Sequence, residues 1–548
     1  MRIVYATTVC FCPRMPLDVY IVKFPSRTSM MNISSPSSFS ASDSIRVALS
    51  PTVVASISTA PDAQTPIRPR WRLYANVLVA LLQPLQYGWS TSQMNLTAFN
   101  DKDKCNARPV AAGTCLMFPG HTKAQWTIAV SAWIFGGMIG ALVIGRISNR
   151  FGRKRVMMVN CVYMILGAVV QASASNIYVF MVGRMIAGIA SGGATAVIPG
   201  FINEISPPTL RSYLGVKFQM AITIGNLLVA ITFFFANTKS GWRFIAEFPI
   251  ALAVLFLVLA PWIVVESPAW LLVMGKEASA DKELARLYGE ENVETAKMWL
   301  QQDHKTRRDI VSSLPSAMSQ PLNSIETCTL RKLFSPMLIR QLMIAVGIAG
   351  AQELTGINVV FLYSSTLLKQ AGLSDDRIGI VAVNFVNVLP TLFCGLLVKR
   401  FGNRNLIMYG LLGMFLSALG LTVALTTNLP AIAIVFIATY VASFGSSLGS
   451  LAWVVMADLF PDEARPMGTC ICVGCSWLSN FTVALSYPFV AAALGDYSFT
   501  PFMFTVTLAF IFVYLFVPDT SKKTIQEIQN EFMARVLSKK NGKSHRHA

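Results

Sequence analysis

Runs of about 20 apolar residues recur along this chain, and a helix of that length crosses the ~30 Å hydrocarbon layer of a membrane. They fall near 73–94, 125–147, 156–174, 178–200, 213–235 and 245–265, then near 338–364, 377–398, 405–427, 430–457, 467–490 and 499–517. The runs are continuous rather than alternating, which implies helices and argues against a β-barrel. With 54% hydrophobic residues, 13% charged residues and a mean hydropathy of +0.54, one oversized soluble core is excluded. The expectation is an all-α membrane protein of twelve transmembrane helices, six on each side of a polar stretch.

The formal net charge of +18 raises the question of nucleic acid, but its placement answers it. Arg150, Arg153, Lys154 and Arg155 follow the second run, and Lys399, Arg400 and Arg404 follow the eighth. Arg68, Arg70 and Arg72 precede the first run, and Lys522, Lys523, Lys539 and Lys540 follow the last. An even helix count puts all of these on one side, which the positive-inside rule makes the cytoplasm, with both termini there. The charge then serves topology and contact with anionic lipid. No nucleic-acid-binding motif is present, so no nucleic-acid partner is expected.

Residues 1–70 are rich in Ser, Thr and Pro and weakly periodic, and read as a disordered cytoplasmic tail. An organelle transit peptide or a secretory signal are the rival readings, and Met15, Met30 or Met31 as the start would each leave the membrane core intact. The remaining division is a first half at 71–266, a linker at 267–336, a second half at 337–518 and a tail at 519–548. In the linker, KEASADKELARLYG and EENVETAKMWLQQ have the composition of short surface helices. Cys105 and Cys115 share the loop after the first helix, on the outer side where disulfides persist; they either pair or stay free. Cys470, Cys472 and Cys475 have metal-like spacing but lie in an apolar run without a nearby His, so packing is the expected role and no metal is expected.

The two halves repeat one another. NRFGRKR at 149–155 answers KRFGNRN at 399–405, EISPPTLR answers DLFPDEAR, and VESP answers VPDT. Arg150 to Arg400 is 250 residues, Glu204 to Asp458 is 254 and Glu266 to Asp519 is 253. Parallel six-helix repeats with a site between them describe alternating-access transporters. Glu204 and Asp458 sit at cytoplasmic helix ends, within reach of Arg153, Arg184, Arg211, Arg404 and Arg465. Charge-assisted pairs between the halves would hold an inner gate shut. The plainer reading is that these cations only set topology.

NRFGRKR, GRMIAGIASGG, EISPPTLRSYLG, QELTGIN, DLFPDEARPMG and VPDTSKKTIQEI together resemble the signature set of the sugar porter family, in the major facilitator superfamily, over about residues 70–535. Asn149 and QYGWSTSQMN resemble animal-type facilitative glucose transporters most. The resemblance implies a major facilitator fold and a sugar held between the halves. The matching positions are Gln219, Gln352, Glu353, Asn358, Asn387, Trp453 and Asn480. Amides meet hydroxyls as donor or acceptor, and an indole suits the C–H face of a pyranose. For one amide alone, a helix–helix hydrogen bond is the simpler role. The relatives carry Gln at Glu353, Glu at Gly445, Arg at Ala269 and prolines before Trp453, where this chain reads SLGSLAW.

Gln352 and Asn358 are six apart, so a break around Thr355 and Gly356 is expected to aim both at one ligand. Glu353 has three open roles: a carboxylate accepting sugar hydroxyls, a titrating group coupling sugar to protons, or a protonated stand-in for Gln. Symporters of the family carry an Asp on the first helix where Ser90 stands, which favours facilitated diffusion. The expected function is hexose transport, glucose first, with proton symport or polyol carriage as alternatives and a non-transporting sensor behind them. No nucleophile with a plausible base and no phosphate loop is present, so neither an enzyme nor an ATP-driven pump is expected, and no cofactor. One chain holds the whole path, and the plasma membrane is the expected location.

Overall fold

The computed structural model describes residues 68–300 and 333–520, apart from 100–101, 108, 112–113, 336–337, 371–374, 428 and 461–463, together with Glu527, Glu531 and Phe532. The tail up to residue 67, linker residues 301–332 and most of the C-terminal tail lie outside the described residues.

Among the described residues ten helices are long and apolar enough to cross a membrane, and two further elements complete twelve. The first half holds α1 (Trp71–Ala80 and Leu82–Ser92, meeting at Leu81), α2 (Lys123–Phe151), α3 (Arg153–Ala172), α4 (Ile177–Ile205), α5 (Arg211–Thr232) and α6 (Gly241–Ile263). The second holds α7 (Ile339–Leu354 and Ile357–Gln370), α8 (Asp376–Phe401), α9 (Asn403–Thr426), α10 (Pro430–Gly445 and Leu448–Leu459), α11 (Arg465–Leu494) and α12 (Thr500–Phe516). Of the linker, Pro268–Val273 and Glu277–Tyr288 are short helices, and 293–300 is helical too. They dock on the helix ends: the Tyr288 hydroxyl donates to the Ile205 carbonyl at 2.7 Å.

Lipid gives helices no hydrophobic reason to associate, so close backbone approach and buried polar contacts must hold them. Both are present between α2 and α4. A Cβ at Gly136, Gly140, Gly188 or Gly192 would lie 1.9–2.1 Å from a carbonyl oxygen of the other helix. Beside them, Asn160 on α3 donates to Gln83 on α1 and to the Ala190 carbonyl on α4, each at 2.9 Å. Gln83 in turn donates to the Met157 carbonyl at 2.9 Å, so three helices share one hydrogen-bond network.

The two halves meet through α1 with α7, α2 with α11, and α5 with α8 and α10. Trp477 on α11 enters a socket in the first half: its ring packs on Tyr87 and Trp133, its indole N–H donates to Thr195 at 3.1 Å, and a Cβ at Gly137 would sit 2.3 Å from it.

Candidate functional site

The α2–α3 and α8–α9 turns, and the C-terminal ends of α4 and α10, lie on one face of the bundle, called here the basic face. On the opposite face α1 is tied to α7. Ser92 and Asn95 both donate to the Phe361 carbonyl, at 3.2 and 2.9 Å, and Asn95 Oδ1 accepts from the Ser365 N–H at 3.0 Å.

α7 breaks at Thr355 and Gly356, where the sequence predicts it. Gly356 has φ +82°, a conformation that costs residues with a Cβ about 1–2 kcal/mol. The Tyr440 hydroxyl caps the freed Thr355 carbonyl. α10 breaks as well, without proline: Gly445 ends one segment and Leu448 begins the next. Ser450 donates to the Gly445 carbonyl at 2.9 Å, so a serine satisfies the backbone that the break exposes.

The two breaks flank a cavity of about 30 Å³ between the halves, lined by Tyr87, Thr91, Gln219, Ile222, Asn226, Gln352, Glu353, Ile357, Asn358, Phe361, Phe444 and Trp453. That volume has room for about two waters, so a sugar enters only as the halves separate. Within it the Trp453 indole donates to Gln219 Oε1 at 3.3 Å, joining α10 to α5 across the halves. Gln352 donates to the Gly449 carbonyl at 3.3 Å, and its own Oε1 has no partner. Both Glu353 oxygens accept: Oε1 from the Ser476 hydroxyl at 2.9 Å and Oε2 from the Asn358 amide.

Five of the seven expected sugar positions therefore converge: Gln219, Gln352, Glu353, Asn358 and Trp453. Asn387 and Asn480 are buried, each with an unpartnered Oδ1, but neither lines the cavity. Asn387 lies against Gly445, whose added Cβ would stand 2.6 Å from its Oδ1, so the α10 break screens it. Sequence reasoning missed Tyr87, Thr91, Asn226, Phe361 and Phe444. Asn226 had a signal, being seven residues beyond Gln219 and hence on the same helical face.

On the basic face, Arg153 grips Glu204 through Nε at 2.9 Å and Nη2 at 2.8 Å. Glu266 accepts the backbone N–H groups of Arg153 at 2.7 Å, Lys154 at 3.2 Å and Ser267 at 3.0 Å. All of these but the first linker residue, Ser267, belong to the first half, so this cluster braces that half internally and does not pair the halves as expected. Arg211 and Arg465 each fold back on their own half, donating to the Ser206 and Phe460 carbonyls at 3.3 Å, which are repeat-equivalent positions. Their charges both act on Asp458, so Arg211 reaches across the halves electrostatically.

Two expected gate residues need correction. Arg184 precedes Glu204 by twenty residues of one helix, about 30 Å, and is far from the basic face. It is fully buried, donates to the Ser90 carbonyl at 2.8 Å and lies over the Trp133 ring. Arg404 points to the end of α12, stacking on Tyr514. The cause is register: the position after Gly402 that answers Arg153 is Asn403, which donates to Thr520 at 2.8 Å. Cys105 and Cys115 are joined as a disulfide beneath the opposite face, while Cys470, Cys472 and Cys475 are free.

The profile of the family described as sugar (and other) transporter matches residues 76–532. The chain belongs to that family. This transporter is 32% identical over 471 residues to facilitated glucose transporter member 4 of solute carrier family 2 from Homo sapiens, covering 83% of this chain and 90% of that one. It is 31% identical over 477 residues to member 3 from Mus musculus, covering 85% and 93%. Among solved structures, the major facilitator proton:xylose symporter XylE bound to 6-bromo-6-deoxy-D-glucose superposes with a TM-score of 0.67 at 25% identity, over 84% of this chain and 99% of that one. The protein is thus a multi-pass sugar transporter of the major facilitator fold working by alternating access, and not an enzyme.

Proposed function

We propose that this transporter carries hexoses, glucose first, by facilitated diffusion, with the halves at 71–266 and 337–518 rocking about the cavity between α5, α7 and α10. The observation that carries this reading is the convergence of Gln219, Gln352, Asn358 and Trp453 from both halves on one buried cavity. Amides answer hydroxyls in either sense, and the indole offers a face to the ring. Asn387 and Asn480 join the site as the halves separate. The basic face is the cytoplasmic one, so both tails are cytoplasmic; the plasma membrane is the location proposed. Arg211, Asp458 and Arg465 form the inner gate, with Arg153 and Glu204 stiffening the half that moves.

Uniport is favoured because the α1 position beside Arg184 is Ser90, so the buried guanidinium meets a carbonyl there rather than a titrating acid. Proton symport through Glu353 is the second reading, favoured by a carboxylate inside the cavity. Labelled-glucose uptake into proteoliposomes, with and without an inward proton gradient, separates them. Uptake that ignores the gradient and stops at equilibration supports the uniporter. Gradient-driven accumulation lost in Glu353→Gln replaces it with the symporter, and absence of uptake removes glucose as substrate.

A further inference from the structure

Glu353 is the one carboxylic-acid side chain among the residues lining the cavity. Among the described residues no cation forms a salt bridge with it. Its two oxygens are held by neutral donors only, Ser476 and Asn358, and each oxygen has lone-pair capacity left. Next to it Gln352 Oε1 is a buried acceptor without a partner among the described residues. One N–H of Asn358 is engaged on Glu353, one N–H of Gln352 on the Gly449 carbonyl, and the Trp453 N–H on Gln219. The α7 corner of the site therefore presents a carboxyl group with no cation beside it among the described residues, next to an unpartnered amide oxygen. Tyr87, Phe361, Phe444 and Trp453 add aromatic rings around it.

A sugar hydroxyl brings one donor and expects donors in return. An ammonium brings three donors and no acceptor, and aromatic faces attract it as well. We infer that the site prefers a hexose in which one hydroxyl is replaced by a protonated amine, with the ammonium seated between Glu353 and Gln352. The hydroxyls of the same ring then meet the amides of Gln219 and Asn226. This rests on the hexose reading above and names the subclass of hexose.

The test is inhibition of labelled-glucose uptake in proteoliposomes by unlabelled glucose and by the positional isomers of aminodeoxyglucose, with direct uptake of each labelled amine alongside. At least one isomer is expected to inhibit at about one tenth the concentration that glucose requires, the step a charge-assisted contact gives over a neutral one. In Glu353→Gln that ratio is expected to fall to about one, since the amide can still accept from Asn358 and donate to Ser476. The wild-type ratio decides without the variant. If glucose is taken up and no isomer exceeds it, or the preference survives in Glu353→Gln, the inference is overturned while the hexose reading stands. If neither glucose nor any amine is taken up, both fall.

Discussion

Replacing Arg153 by Met tests whether the basic-face cluster is a brace within one half. The guanidinium makes two bonds to Glu204, at 2.9 and 2.8 Å, and one to the Ser148 carbonyl at 3.2 Å. The side chains are 9% and 21% exposed, so the pair lies between a buried ion pair and a surface one. Breaking a buried pair costs about 3–5 kcal/mol, and an exposed pair under about 1, which brackets this loss at about 2–3 kcal/mol. That is a roughly 30- to 150-fold change in the folded-to-unfolded ratio. Glu266 is untouched, because it holds the backbone N–H of residue 153 and not its side chain. The loss therefore comes from leaving Glu204 uncompensated, and Glu204→Met in the same chain should recover most of it. A reversible titration with denaturing detergent on wild type, both single variants and the double measures the cycle. A coupling of about 2 kcal/mol is expected. If the two single losses add in the double to within about 0.5 kcal/mol, the fork is not the source and the reasoning fails.

Gly356→Ala forces φ +82° on a residue with a Cβ and puts that atom 2.4 Å from the Phe502 ring, so the variant should be less stable by at least about 1–2 kcal/mol and slower in uptake; unchanged melting and uptake would count against the rigid α7 break. Gly137→Val drives a side chain into Trp477, at a cost of about 1–3 kcal/mol, and uptake should fall at least tenfold, with partial recovery when Trp477→Ala is added; no recovery would locate the damage elsewhere than the socket. Burial holds the His121 imidazole below its ordinary value of 6.5, so the folded form prefers the neutral ring. As pH falls below about 6.5 the unfolded chain binds the proton first, and this contribution to stability declines with acidification. Melting temperatures between neutral and mildly acidic pH should show a drop that is smaller in His121→Asn; an equal drop in both would remove His121 from the account.

How much was legible in the sequence depended on whether a feature is local. Span number, the internal repeat and the α7 break follow from hydropathy, spacing and a single glycine, and each is read along the chain without knowing which helices pack together. The repeat did not say which positions inside a motif face each other, and the two halves differ there. KRFGNRN carries Asn403 where NRFGRKR carries Arg153, a one-residue difference in which cation follows the glycine. Reading cations as a cluster assigned Arg404 to the gate, whereas the structure turns it to Tyr514. Arg184 failed for another reason, since a motif quoted with its neighbours conceals depth, and twenty residues of helix are a membrane's thickness. Asn387 was lost to packing: only the fold shows that Gly445 on another helix stands in front of it. The asymmetry this leaves has a physical consequence. In the first half a fixed cation joins α3 to α4, while in the second an amide joins α9 to Thr520, four residues beyond α12. Asp458 is then left under the charges of Arg465 in its own half and Arg211 from the other. Among the described residues Asp458 has no arginine fork like the one Arg153 gives Glu204, so with asparagine at position 403 it is left to charges from both halves.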